Sequence, residues 1–385
     1  MNLWRNSRPF LIREEPMNSQ EDVRFMRLAL KEATRGLGRT SPNPCVGAII
    51  VKDGRIIAKG YHKKAGTPHA EINAIRQATE TVAGATMYVT LEPCNHTGKT
   101  PPCTRALVES GISRVVVGMK DPNPLVNGTG IAFLKGCGVA VTSGILEKEC
   151  EEINAPFLKY ITTGLPWMIM KAGVSLDGRL NYQEGKSGWI TGQESVIEAH
   201  KLRDRVDAVL LGGRTILIDN PSLTTRLPQG RTKDPVRIIV DSKLSTHPNA
   251  KVYHLDSPAP TWVFHSEDAP PAKIADFQVQ GIRLFPMLGE NGGLDLWGII
   301  KTLGREGLCS VMVEGGAKLH GAFLKAQLFD YAYLFYAPLF AGDKGVGLTA
   351  GLHVQDRLNA PKLVSVRYKK LGDDMLISGR ITYYN

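Results

Sequence analysis

From Glu21 onward, apolar residues recur at Phe25, Met26, Leu28, Ala29 and Leu30 through Ala33 with the spacing of one helix face, and Gly36 and Gly38 close the run. This predicts an opening helix. Residues 45–51 and 55–60 are two apolar runs on either side of the turn Asp53-Gly54, the pattern of a β-hairpin. A helix over 68–79, a strand over 85–91, a helix over 101–110 and a strand over 113–118 are expected next. A glycine-rich stretch after Asp121-Pro122-Asn123-Pro124, a strand over 139–142 and a Glu-rich helix through Glu152 follow. The alternation predicts a layered α/β domain. Residues 160–166 read as a hinge, because Gly164 and Pro166 interrupt both helix and strand. Past it, strands are expected at 167–172, 208–212, 236–240, 261–264, 309–313 and 331–337, with helices between several of them. This is a second α/β domain, and no internal repeat links the halves.

Composition narrows the picture. A chain of 385 residues exceeds what one hydrophobic core usually serves, so two domains are expected. We assign 1–20 to a flexible N-terminal extension, 21–164 to the first domain and 165–385 to the second. Hydrophobic residues at 43% and charged residues at 22% are near globular averages, and no run of about 18 apolar residues predicts a membrane span. The opening segment mixes Arg5, Arg8, Arg13, Glu14 and Glu15 and lacks the apolar run of a secretory signal. Six cysteines are too few for a disulfide scaffold at this length, which points to a reducing cytoplasm. The formal charge of +10 comes from scattered Lys and Arg with no run of five, so an anionic small substrate fits better than a nucleic-acid partner.

Two short motifs carry the first chemistry. Thr67-Pro68-His69-Ala70-Glu71 has the cap-then-Pro form of a helix start, with Thr67 as N-cap and Pro68 at the first helical position. Residues two apart do not share a helix face, but at a helix end His69 and Glu71 can both bend toward a point beyond the terminus. Cys94 ends a predicted strand, and Thr100-Pro101-Pro102-Cys103 repeats the cap-then-Pro form, so Cys103 sits at the positive end of a helix, where thiolates are stabilised. One imidazole and two thiolates form a three-ligand zinc site with one position open for water, the arrangement of a catalytic zinc. Glu71 is then placed to move the proton of that water in a hydrolytic deamination. The usual zinc-deaminase pattern, His-x-Glu followed by Pro-Cys-x-x-Cys, has two residues between its cysteines, whereas eight separate Cys94 from Cys103. That insert, Asn95-His96-Thr97-Gly98-Lys99-Thr100, offers donors for a phosphate or ribose.

The runs Ser41-Pro42-Asn43-Pro44-Cys45-Val46-Gly47, Gly60-Tyr61-His62, Pro68-His69-Ala70-Glu71, Thr90-Leu91-Glu92-Pro93-Cys94 and Thr100-Pro101-Pro102-Cys103 together resemble the bifunctional riboflavin-biosynthesis deaminase/reductase family. The resemblance extends over nearly the whole chain from about residue 21. It implies a cytidine-deaminase-like three-layer domain followed by a dihydrofolate-reductase-like domain. It implies deamination of 2,5-diamino-6-(5-phosphoribosylamino)pyrimidin-4(3H)-one at C2, then reduction of the ribosyl group to ribityl by NADPH. His69, Cys94 and Cys103 would be the ligands of one zinc, Glu71 the proton shuttle, and Asn43, His96 and Lys99 substrate contacts. Asn95 departs from the Ser common in the family, and Cys45 is read as a buried thiol.

In the second domain, Gly212-Gly213-Arg214-Thr215 and Glu314-Gly315-Gly316-Ala317 are strand-to-helix junctions whose glycines let backbone approach a phosphate, although neither fits the Gly-x-Gly-x-x-Gly fingerprint. Residues 170–179, 187–191 and 219–226 carry the resemblance here. It implies an NADPH site lined by Gly173, Trp189, Thr215, Asp219, Ser242, Gly316, Ala317, Lys318, Leu319, His320, Gly321 and Ala322. It implies a substrate site of Ser187, Arg203, Leu223, Arg226 and Glu314, and we add Lys171. Arg203 and Arg226 can fork a phosphate bidentately, and Lys171 and Glu314 compete as the acid or orienting group of the reduction. The expected partner is a small phosphorylated pyrimidine, with neither nucleic acid nor membrane, and a homo-oligomer is expected. The alternative is a nucleic-acid base deaminase with an RNA-binding second domain, and it would need a basic or aromatic cluster.

Overall fold

Aliphatic runs too short for helices become strands buried on both faces, and the longer periodic segments pack over them. The computed structural model describes residues 20–96, 101–123, 127–228, 230, 232–290 and 293–383. Its described residues form two compact units, 20–37 with 45–154, and 38–44 with 155–383.

The first unit contains α1 (Gln20–Ala33), β1 (Gly47–Lys52), β2 (Arg55–Tyr61), α2 (Ala70–Arg76), β3 (Thr86–Leu91), α3 (Cys103–Glu109), β4 (Arg114–Met119), α4 (Thr129–Gly136), β5 (Ala140–Ser143) and α5 (Glu147–Ile153). The sheet order is β2-β1-β3-β4-β5, antiparallel at the hairpin side and parallel from β3 to β5. β3 and β4 each bury five of six residues, because α1 covers β1 and β3 while α5 covers β4. A Cβ at Gly60 would collide with the Ala70 carbonyl, so this glycine lets the start of α2 lie directly on β2.

The second unit contains α6 (Ala155–Thr163), β6 (Trp167–Ser175), α7 (Gln193–Arg205), β7 (Ala208–Gly212), α8 (Gly213–Asp219), β8 (Val236–Val240), β9 (Thr261–Ser266), α9 (Pro271–Val279), β10 (Arg283–Met287), the two-residue strands β11 (Gly289–Glu290) and β12 (Gly293–Leu294), α10 (Leu296–Arg305), β13 (Ser310–Val313), α11 (Ala317–Lys325), β14 (Tyr331–Ala337), β15 (Lys362–Leu371) and β16 (Asp374–Thr382). Nine strands form one sheet, β10-β9-β8-β7-β13-β6-β14-β16-β15, parallel from β10 to β14 and antiparallel at β16 and β15. Alternate residues feed opposite cores: Met168, Met170, Leu210, Val311 and Val313 pack on one face, and Ile169, Val209, Leu211 and Met312 on the other.

Three expectations change. Helix α2 begins at Ala70, because Thr67 turns back onto the Lys64 carbonyl through both its amide and its hydroxyl and so caps nothing. Residues 160–163, read as hinge, close α6, and the chain breaks only at Gly164, where φ is +71°. The hairpin β15–β16 was not expected, although Val364, Val366 and Tyr368 alternate with polar residues on its first strand, which is mostly exposed. No described helix is long and apolar enough to cross a membrane.

Candidate active site

In the first unit, His69 is the N-cap of α2, with extended backbone, and Glu71 lies in the first turn. Cys103 opens α3 behind Pro102. His69 Nδ1 lies 3.5 Å from Cys94 Sγ and 3.3 Å from Cys103 Sγ, and the three donor atoms all lie within 4.8 Å of one another. For tetrahedral zinc with Zn–N and Zn–S bonds of ordinary length, a nitrogen and a sulfur ligand stand about 3.6 Å apart, so this donor set has the spacing and chemistry for zinc. No fourth His, Cys, Asp or Glu joins the group among the described residues.

The electrostatics follow from burial. Glu71 is 3% exposed, and burial, helped by the neighbouring Cys94, pushes its carboxyl up to about 7. Hydrogen bonds from Cys103 and His69 hold the Cys94 thiol well below the usual thiol range, whereas the same Cys94 contact and burial raise Cys103. The Cys103 amide also donates to Cys94 Sγ at 3.4 Å. His69 is raised, chiefly by its bond to Cys94. Its ring packs edge-on against His62, 5.4 Å between centroids. Asn73 Nδ2 donates to the Pro68 carbonyl and fixes the segment before His69.

Sequence reading missed the supports of the cysteine turn. Glu92 is 3% exposed and accepts from the amides of Asp121, Gly128, Gly130 and Ile131 at 3.0–3.3 Å. It thereby ties the start of α4 to the turn carrying Cys94. Asn95 Oδ1 accepts the Thr104 hydroxyl at 2.8 Å, and Asn95 Nδ2 reaches the Thr129 carbonyl at 3.5 Å. Of the expected substrate contacts, His96 is exposed, Asn43 groups with the second unit, and Lys99 lies outside the described residues.

In the second unit, the C-terminal ends of parallel strands converge, where open α/β sheets bind ligands. Gly173 on β6 lies against the Thr191 methyl, and a Cβ there would stand 3.1 Å from Thr191 Cγ2. A Cβ on Gly316 would stand 3.8 Å from Thr215 Oγ1, so the two paired-glycine junctions meet. Ser242 follows Asp241, whose carboxylate backs Gly213. Trp189 is 67% exposed, Ser187 and Asp219 are exposed, and Leu223 is buried with φ of +57°. In α11, Lys318 and Ala322 are exposed and Leu319 is half-buried against Gly315, while Ala317, Gly321 and His320 are buried. His320 is fully enclosed beside Phe329, and burial lowers it to about 4.

The charged cluster is assembled from four segments. Glu314 Oε1 and Oε2 accept from Arg203 Nε and Nη2 at 2.6 and 2.7 Å, and Arg203 Nη1 donates to the Thr224 carbonyl. Burial alone would raise Glu314, but Arg203 beside it holds it at about 2. The fork of Arg203 is thus engaged within the protein, while Arg226 is exposed. Lys171 stands 5.4 Å from the Phe335 ring centroid and is lowered by burial, which Glu314 opposes. His200, which sequence reading missed, accepts the Arg226 amide at 3.2 Å and is lowered to about 4 by burial and by Arg203.

Comparison with known proteins agrees with both halves. The family model for the cytidine and deoxycytidylate deaminase zinc-binding region matches residues 19–119, and that for the RibD C-terminal domain matches residues 166–377. The riboflavin biosynthesis protein RibD of Bacillus amyloliquefaciens is 40% identical over 355 residues, covering 92% of this chain and 95% of its own. That of Aquifex aeolicus is 42% identical over 357 residues, covering 92% and 97%. The solved RibD of Acinetobacter baumannii superposes with a TM-score of 0.83 at 35% identity, covering 94% of this chain and 99% of the other. A Thermotoga maritima diaminohydroxyphosphoribosylaminopyrimidine deaminase/5-amino-6-(5-phosphoribosylamino)uracil reductase gives 0.82 at 36%, with the same coverage. The expected cytidine-deaminase-like and dihydrofolate-reductase-like folds are those of the two units, and an RNA-binding second domain is not favoured. The chain belongs to the RibD family of riboflavin biosynthesis enzymes, with a zinc-dependent deaminase in its first unit and an NADPH-dependent reductase in its second.

Proposed function

We propose that the first unit removes the C2 amine of 2,5-diamino-6-(5-phosphoribosylamino)pyrimidin-4(3H)-one with water, and that the second reduces the ribosyl group of the resulting uracil. The carrying observation is the His69, Cys94 and Cys103 donor triangle with the buried Glu71 beside it. His69, Cys94 and Cys103 hold the zinc, which when bound supplies a Lewis acid for water. Glu71 takes a proton from the attacking water and delivers it to the amine nitrogen as the carbon–nitrogen bond breaks, so ammonia leaves and a carbonyl remains. His96 and Lys99 meet the substrate from the cysteine insert, and Asn43 is the remaining proposed contact.

For the reduction, NADPH supplies hydride to the ribose C1′ once the sugar ring is open. Gly173, Trp189, Thr215, Asp219, Ser242 and residues 316–322 hold the cofactor, except that the His320 side chain, enclosed beside Phe329, supports the helix rather than meeting the ligand. Lys171 is the proton donor toward the sugar oxygen, because Glu314 is already ionised against Arg203 and has no proton to give. Glu314 and Arg203 form the fixed wall of the substrate site, Arg226 meets the phosphate, and Ser187 and Leu223 line the remainder. The six cysteines form no disulfide, which supports work in the reducing cytoplasm. The proposed partner is a small phosphorylated pyrimidine rather than a nucleic acid or membrane, and the proposed assembly is a homo-oligomer.

Purified protein given the diaminopyrimidinone phosphate should release one ammonia without NADPH, and consume one NADPH only when it is added. NADPH consumption with no ammonia, or neither signal, would refute the assignment.

A further inference from the structure

Helix α7 begins at Gly192, an N-cap residue with no side chain to satisfy the first turn. The N-cap residue's own amide finds its acceptor far along the chain, and the Ser195 hydroxyl in the first turn shares it. Asp374, the first residue of β16 and 4% exposed, accepts the Gly192 amide at 2.8 Å and the Ser195 hydroxyl at 2.5 Å on one carboxylate oxygen, Oδ2. Ser195 is itself 1% exposed. The turn before Asp374 comes close as well, since Gly372, with φ of +61°, leaves room for Glu194 where a Cβ would stand 2.8 Å from its carboxylate. A carboxylate at the first turn of a helix also opposes the positive end of its dipole.

What this clamp holds is the reductase site on both sides. Immediately before Gly192, Thr191 packs its methyl on Gly173, and Trp189 lies two residues earlier. Further along α7, His200 fixes the Arg226 backbone and Arg203 pairs with Glu314. We infer that Asp374 is a positioning residue of the reductase, anchoring the start of α7 so that Thr191 stays against Gly173 while Arg203 stays on Glu314. Asp374 touches neither cofactor nor substrate in this role. The inference rests on reading this unit as the NADPH site.

The test compares Asp374→Ala, Asp374→Asn and Ser195→Ala in the full chain, with ammonia release as the internal control for folding. NADPH affinity is measured directly by fluorescence titration, beside kcat and KM of the reductase. Asp374→Ala should weaken NADPH binding and raise its KM about tenfold, the equivalent of about one lost charge-assisted hydrogen bond, with ammonia release unchanged. Asp374→Asn should restore most of the affinity, because its carbonyl can accept the same two donors. Ser195→Ala should show about a threefold rise. A fall in kcat with unchanged KM and affinity would mean only fewer folded molecules and would overturn the proposal, as would Asn behaving like Ala. Should Asp374→Ala abolish ammonia release as well, Ser195→Ala decides, and an unchanged NADPH affinity there overturns it. Failure of the unaltered protein to bind NADPH would instead remove the reductase reading beneath.

Discussion

Glu71 and Glu314 are the same side chain, both deeply enclosed, yet the protein shifts them in opposite directions. Glu71 lies among an imidazole and two sulfurs with no guanidinium beside it, and burial lifts it to about 7. Glu314 feels the same penalty, but a bidentate Arg203 overrides it and holds the carboxyl at about 2. Burial alone therefore does not say what a carboxylate is for; its partner does. A buried carboxyl with no guanidinium clamped to it can exchange protons near neutrality, whereas a clamped one is a fixed charge.

Exchanging each carboxylate for its amide should separate the two roles. Glu71→Gln keeps the shape but cannot carry a proton, so ammonia release should fall about 10²–10⁴-fold. Zinc content, thermal stability and NADPH oxidation with deaminated substrate should stay as they were. Full ammonia release by this variant would remove Glu71 from the mechanism.

Glu314→Gln should do the reverse in the other unit. It strands Arg203, whose side chain is 14% exposed, and breaking a buried pair from one side costs about 3–5 kcal/mol. For a unit of this size that is a melting temperature lower by roughly 10 °C, together with lost NADPH oxidation and intact ammonia release. The effect should depend on acidity in one direction. The folded-state pKa of about 2 lies below the ordinary 4.5, so the stabilisation is complete above about pH 4.5 and is lost as pH falls toward 2. The melting difference between the unaltered protein and Glu314→Gln should shrink over that window. A difference that stays constant from pH 6 to pH 3 would contradict the fixed-charge role.

The same contrast explains what could be read from the chain. The zinc donors and Glu71 fall within 35 residues, in two motifs whose chemistry is local, and the structure brings the three donor atoms within bonding range of one ion. The two Gly-Gly junctions were equally visible as strand ends, but not that Thr215 and Gly316 meet, since that depends on β7 and β13 being neighbours. Glu92 looked like an ordinary residue before Pro93, because its amide partners lie 29 to 39 positions away. His200 and Asp374 carried no signal in the sequence, and the partners of Asp374 are 179 and 182 positions distant. The engagement of Arg203 was hidden for the same reason: a guanidinium in a sequence does not reveal whether its fork faces a ligand or a carboxylate 111 residues on.

A smaller perturbation tests whether the first site depends on its local supports as the second depends on remote ones. Asn95 accepts the Thr104 hydroxyl at the start of α3 and points its amide toward the Thr129 carbonyl at the start of α4, spanning the turn between Cys94 and Cys103. A serine here is too short to bridge both. Asn95→Ser should therefore loosen the alignment of Cys94 with Cys103 by the worth of about one neutral hydrogen bond, about 1 kcal/mol. Competition with a chelator should show zinc lost at a several-fold lower chelator concentration, while ammonia release from the zinc-saturated protein changes little and NADPH oxidation not at all. Unchanged zinc retention would show that the helix starts alone hold the two sulfurs in place, and that the Asn95 bridge is incidental to the metal site.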